Sequence, residues 1–233
     1  MVNQQHRALI STTIIALAAL ALVIALELTS NIDREISDRF FDPSGAWLVD
    51  HRSSGLRLWL YDGAKILIIL FGIGMLGIVC WPRLARSGWI TRREALFVLA
   101  CLAAVPLAVG VIKKYSNVQC PASLQRYGGT QSDDDAHIQL TGFFETHRNS
   151  GCWPSGHSSG GFALLCVAWL GRGRCSRLRL AVPGLVAGFL TGAYQVARGA
   201  HFASHVLVTG LISIIVIALL AYLFETGETT ATG

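Results

Sequence analysis

The feature that most constrains this chain is a series of long apolar runs separated by polar or charged segments. The run Ala8–Leu26 holds 19 residues without a charge. A helix needs about 20 apolar residues to cross a bilayer core of about 30 Å. Five further runs are of similar kind: Ala64–Trp81, Ala95–Ile112, Gly156–Leu170, Leu180–Val196 and Ala203–Phe224. The composition agrees, with 52% hydrophobic and only 14% charged residues, where a soluble domain carries about 25% charge. A disordered chain, a collagen-like chain and an ordinary soluble globule are all excluded. The expected architecture is all-α, a bundle of six transmembrane helices forming a single integral membrane domain over residues 1–233. The first run is longer than the apolar core of a signal peptide, about 7–15 residues, and reads as a retained span. The fourth is short and starts with Ser158 and Ser159. Such a span suits a protein-lined site, where polar groups face other helices.

Arginines orient the bundle. Arg83, Arg86, Arg92 and Arg93 lie between the second and third runs, and Arg172, Arg174, Arg177 and Arg179 between the fourth and fifth. Short loops rich in Lys and Arg stay in the cytoplasm, so both termini are expected there. The opposite side then receives Glu27–Gly63, the 43-residue loop Lys113–Ser155 and the turn Ala197–Phe202. The first of these reads as an amphipathic surface piece. The long loop is too long for a mere connector. Within it, Asp133–Asp135 reads as a solvated turn. The net charge of +5 is accounted for by the cytoplasmic loops and does not imply nucleic acid.

Two clusters carry chemistry. Pro154-Ser155-Gly156-His157 sits where the long loop enters the fourth run. The first N–H groups of a helix there would bind an anion such as phosphate, and His157 could protonate a leaving group. The same residues also suit an ordinary helix cap with an interfacial histidine. Arg198, His201 and His205 form the second cluster. In a helix their i, i+3, i+7 spacing places them on one face. A neutral imidazole can attack phosphorus when its other nitrogen has a partner, and Arg198 offers planar donors for phosphate oxygens. The alternatives are a basic turn at a membrane surface, or a zinc edge formed by His201 and His205. Arg198 and Lys113 would repel such a cation, and no HExxH motif occurs. Lys113 and Lys114 close the third span, where lysines often only snorkel. On the derived topology Lys113, His157, Arg198 and His201 nonetheless all reach the same outer face.

These residues resemble the membrane branch of the phosphatidic acid phosphatase type 2 superfamily, whose relatives include the vanadium haloperoxidases. Its three motifs are K-x6-R-P, P-S-G-H and S-R-x5-H-x3-D. The second is intact as Pro154, Ser155, Gly156 and His157. In the third, His201 matches, His205 stands in place of the aspartate and Gln195 in place of the arginine. Arg198 then has to supply the guanidinium. In the first, Lys113 and Pro121 match while Cys120 replaces the arginine, with Arg126 the compensating candidate. The resemblance covers about residues 60–224.

It implies a lipid phosphatase that needs no metal or other cofactor. His201 is the expected nucleophile, His157 the general acid and base, and His205 the group that orients His201. Lys113, Ser155, Gly156, Arg198 and Arg126 are the expected phosphate-binding residues. His205→Asp is expected to keep or raise activity. The implied setting is a bacterial inner membrane with the site facing the periplasm. Cys120 and Cys152 then lie in an oxidising compartment and are candidates for a disulfide. The expected partners are the bilayer and a phosphorylated lipid: phosphatidic acid, phosphatidylglycerol phosphate, undecaprenyl pyrophosphate or the lipid A phosphates. No nucleic acid and no obligate protein partner are implied. A phosphotransferase with a lipid acceptor, and a non-catalytic lipid-binding or transport protein, are the alternatives.

Overall fold

Long runs of Ala, Leu, Ile and Val favour helix, because in lipid a backbone must satisfy its own hydrogen bonds. The computed structural model bears this out; it describes residues 2–50, 54–81, 90–136 and 151–231. The described residues form helices and two isolated bridges, with no strand among them. The helices are α1 (Val2–Thr29), α2 (Ile32–Asp38), α3 (Ser54–Arg57), α4 (Ala64–Cys80), α5 (Arg92–Tyr115), α6 (Gly156–Ala163), α7 (Arg174–Ala197) and α8 (Ala203–Ala231). A π-helical stretch, Leu58–Gly63, joins α3 to α4. The outer segment expected over 27–63 is therefore shortened at both ends, by α1 and by this continuous rod. Arg83 and Arg86, and the stretch 137–150 of the long loop, lie outside the described residues.

Five described helices are long and apolar enough to cross a membrane: Gln4–Thr29, Gly55–Cys80, Arg92–Tyr115, Arg174–Ala197 and Ala203–Thr226. The expected fourth span takes another form. Helix α6 has 8 residues and continues as a 3-10 helix, Leu164–Leu170, of 7. At rises of about 1.5 and 2.0 Å per residue the rod reaches about 26 Å, slightly less than a bilayer core.

Helix α1 runs along α8, α4 along α5, and α6 is enclosed by α4, α5, α7 and α8. Leu, Ile, Val and Phe side chains remain exposed along α1, α4 and α7, among them Ile14, Ile15, Leu67, Ile73, Val186 and Phe189. An exposed apolar belt of this extent is what a lipid-facing surface presents. Close approach of α6 to α7 requires glycine. A Cβ on Gly161 would lie 2.5 Å from the Gly188 nitrogen, and one on Gly188 would lie 2.3 Å from the Phe162 ring. Helix α5 starts with a capping box: the Glu94 N–H donates to Thr91 Oγ1 at 3.2 Å and the Thr91 N–H donates to Glu94 Oε2 at 2.7 Å. Such a cap is worth about 1 kcal/mol.

Candidate active site

Four helix ends meet at one end of the bundle, and main-chain hydrogen bonds hold them there. The Cys152 N–H donates to the Val118 carbonyl at 3.0 Å, and the Ser116 hydroxyl donates to the Trp153 carbonyl. These tie the entrance of α6 to the exit of α5. The Ser155 N–H donates to the His205 carbonyl at 3.2 Å, and Thr209 Oγ1 donates to the Ser155 carbonyl at 3.1 Å, tying α6 to α8. A disulfide joins Cys120 to Cys152, with Cα atoms 5.3 Å apart.

The turn between α7 and α8 carries His201. Gly199 adopts φ +70°, and a Cβ there would lie 2.2 Å from the Trp47 ring. The N–H groups of Ala200 and His201 donate to the Gln195 carbonyl at 2.9 and 3.3 Å. Asp33 then caps α8 by accepting from the Ser204 N–H at 2.9 Å. Because the chain turns between Ala197 and Ala203, the single helical face expected for Arg198, His201 and His205 does not form.

His157 Nδ1 and His201 Nε2 lie 3.2 Å apart. On its other side, His201 Nδ1 lies 3.4 Å from the Cys152 sulfur. Lys113 reaches the entrance of α6: a Cβ on Gly156 would lie 3.8 Å from its Nζ. Arg198 stacks its guanidinium 5.5 Å from the centre of the Tyr194 ring, and its charge and that of Lys113 bear on His157. Ser155 is buried, and its hydroxyl neither caps α6 nor meets another partner. Lys113, Gly156 and His157 line a recess of about 430 Å³, whose apolar wall includes Leu60, Ile68, Ile69 and Pro106. The Tyr61 ring packs against His157 with centroids 5.1 Å apart.

His201 is 1% exposed. Burial holds its basicity well below the ordinary histidine range, helped by the neighbouring His205, Lys113 and His157, while the Cys152 carbonyl acts in the opposite sense. The ring is accordingly neutral at pH 7, the state a nitrogen nucleophile requires.

One expectation is corrected. Arg126 does not join the recess; it is bound to Asp38 by Nε at 3.0 Å and by a terminal nitrogen at 2.5 Å. That bond raises the basicity of Arg126 and lowers the pKa of Asp38. Tyr127, buried and hydrogen-bonded to the same carboxylate at 2.9 Å, is pushed up to about 12. His205 is fully buried, but it makes no hydrogen bond to His201; their ring centroids are 5.9 Å apart. The reason is the turn: His201 precedes α8, so the two residues are not stacked on successive helical turns. The Cys152 carbonyl lies beside both rings.

Cys152, His201 and His205 offer donor atoms within 4.8 Å of one another. The Cys152 sulfur is consumed by the disulfide and is no thiolate, which leaves two imidazoles, fewer than the three or four protein ligands of a zinc site.

Residues 94–228 match the family model described as the PAP2 superfamily, which is more than half of the chain. The chain belongs to the PAP2 superfamily. No curated protein and no solved structure gives a significant match. PAP2 proteins are typically phosphatases, and the five membrane-length apolar helices among the described residues suggest a membrane phosphatase.

The PAP2 interval begins inside α5 and ends inside α8, so it leaves out α1. Sequence reasoning passed over Glu27, which α1 places beside His205, with Oε1 4.0 Å from His205 Nε2. The signal was there: an ionisable residue at the edge of an apolar span is a functional candidate by default. Tyr61 had no such signal. Gln195, at the arginine position of the third motif, is 1% exposed and its side-chain nitrogen has no partner.

Proposed function

We propose that the protein is an integral membrane lipid phosphatase that hydrolyses a phosphomonoester or pyrophosphate of a membrane lipid without a metal. The observation that carries this reading is the 3.2 Å contact between His157 Nδ1 and His201 Nε2 beside Lys113. It pairs a nucleophile with an acid next to an apolar-walled recess. In this reading the rod from α6 to Leu170 is the fourth of six spans, and the site faces the periplasm of a bacterial inner membrane with both termini cytoplasmic.

His201 Nε2 attacks phosphorus, and the bond from phosphorus to the lipid oxygen breaks. His157 enters this step as the imidazolium, gives its Nδ1 proton to that oxygen and is left neutral. Attack through Nε2 requires the proton of His201 on Nδ1, the nitrogen that faces Cys152. In-line attack needs phosphorus about 3 Å from Nε2, so the two imidazoles separate when the phosphoryl group enters. Water, deprotonated by His157, then cleaves the phosphohistidine and releases inorganic phosphate. Lys113, Arg198, the Ser155 hydroxyl and the Gly156 N–H stabilise the equatorial oxygens.

The test is phosphate release by purified wild type and His201→Ala from phosphatidic acid, phosphatidylglycerol phosphate, undecaprenyl pyrophosphate and a lipid A phosphate. Wild type is expected to release phosphate from at least one and His201→Ala from none. Equal release by both removes His201 as nucleophile. A labelled donor that passes its phosphate to a second lipid makes the protein a phosphotransferase, and binding without turnover makes it a lipid-binding or transport protein.

A further inference from the structure

Buried polar atoms without hydrogen-bond partners gather behind His201. They include both carboxyl oxygens of Glu27, both ring nitrogens of His205, Trp153 Nε1 and Ser204 Oγ. Glu27 faces Ser204 and Trp153 as well as His205. The side chains of His205 and Glu27 are 0% and 3% exposed. A carboxylate stripped of water is costly unless it is paired, and among the described residues the imidazole this one faces is that of His205. His205 in turn occupies the position where the third motif carries an aspartate, and its ring packs edge-on to His201 at 66°.

We infer that Glu27 is a positioning residue for His201 that acts through His205, supplying from α1 the negative charge the third motif lacks. The inference rests on the reading of His201 as nucleophile. Glu27 Oε1 lies 4.0 Å from His205 Nε2, beyond hydrogen-bond distance, and its charge favours the tautomer of His205 that carries its proton on Nε2. His205 stands against His201 and beside the Cys152 carbonyl that faces both imidazoles. When His201 Nε2 bonds phosphorus, its ring becomes cationic, and the Glu27 carboxylate offsets that charge across His205. No proton is transferred; the carboxylate acts by its charge.

The geometry also revises the expected outcome of His205→Asp. An aspartate at 205 would stand beside Glu27, and two adjacent buried carboxylates disfavour one another. Moving the charge rather than doubling it is therefore the informative change. With wild type, E27Q, H205D and E27Q/H205D purified in one detergent, phosphate release is measured on a lipid that wild type hydrolyses. Monodispersity and melting temperature report folding. E27Q is expected to lower kcat by about 10- to 100-fold with KM within about twofold. H205D alone is expected to lose activity too, while E27Q/H205D exceeds both single variants, a non-additivity that a merely structural role would not give. Should E27Q fail to fold, H205D against E27Q/H205D carries the same comparison. A folded E27Q with wild-type kcat overturns the inference, as does a double variant no better than H205D. Absence of phosphate release by wild type on every lipid defeats the phosphatase reading instead. Loss on His201→Ala with E27Q unaffected defeats this inference alone.

Discussion

The segment that precedes α3 touches the family-matched half of the chain through the carboxylates of Glu27, Asp33 and Asp38, and the junctions of Glu27 and Asp38 differ in kind. Asp38 meets Arg126 with side chains 38% and 47% exposed, and every bond is made. Glu27 meets His205 with side chains 3% and 0% exposed, and neither group completes a hydrogen bond. The exposed pair has the better geometry, yet solvent screens it, and such pairs are worth at most about 1 kcal/mol. The buried pair has the poorer geometry, and little water stands between it and His201. Proximity alone therefore does not rank the two; desolvation does.

Substitutions at the two junctions and around His201 put that ranking at risk. His201→Ala is expected to cost about 10³-fold or more in kcat, with the protein still monodisperse; residual turnover within tenfold of wild type would remove the buried cluster from the chemistry. Lys113→Met removes the cation at the α6 entrance and is expected to lower kcat/KM by about 10²-fold, read from phosphate release against substrate concentration. Cys120→Ser opens a disulfide spanning 32 residues. A loss of about 3–4 kcal/mol on the outer side of the bundle is expected, seen as a lower melting temperature that reductant reproduces in wild type. Stability should also depend on pH through His201, whose basicity is depressed in the folded protein. The unfolded chain takes up that proton below about pH 6.5 while the folded protein does not, so stability declines as the pH falls below that value. By the same depression, the acid limb of kcat/KM lies below the ordinary histidine range. Asp38→Asn is the smallest effect, at most about 1 kcal/mol with kcat unchanged. The lowered Asp38 pKa means that its contribution is present above about pH 4 and disappears as the pH falls through the folded value. A large kcat loss on Asp38→Asn would erase the contrast between the junctions.

The long runs reported themselves well, because length and apolarity are local properties: Ala8–Leu26, Ala95–Ile112 and Ala203–Phe224 all lie within the membrane-length helices α1, α5 and α8. The run Gly156–Leu170 was legible as helical but not as half 3-10, since that switch answers to packing of Leu164–Leu170 against α5 and α7. At the site, the intact Pro154–His157 motif announced where His157 sits. Its meeting with His201 depends on hydrogen bonds accepted by Asp33 and donated by Ser155 and Thr209 that no spacing rule contains. Arg126 was misread because a free guanidinium in sequence looks like a phosphate ligand until Asp38, 88 residues away, is found beside it. Glu27 was missed because it sits one residue beyond Leu26, where the apolar run was closed.

The wall of the recess formed by Leu60, Ile68 and Ile69 belongs to the rod that presents Leu67, Leu70 and Ile73 on its exterior. A ligand whose head occupies that recess can leave its hydrocarbon tails dissolved among neighbouring acyl chains. Occupancy would then follow the mole fraction of that ligand in the surrounding sheet rather than its bulk molarity. Adding inert amphiphile at constant total substrate should slow turnover by surface dilution alone.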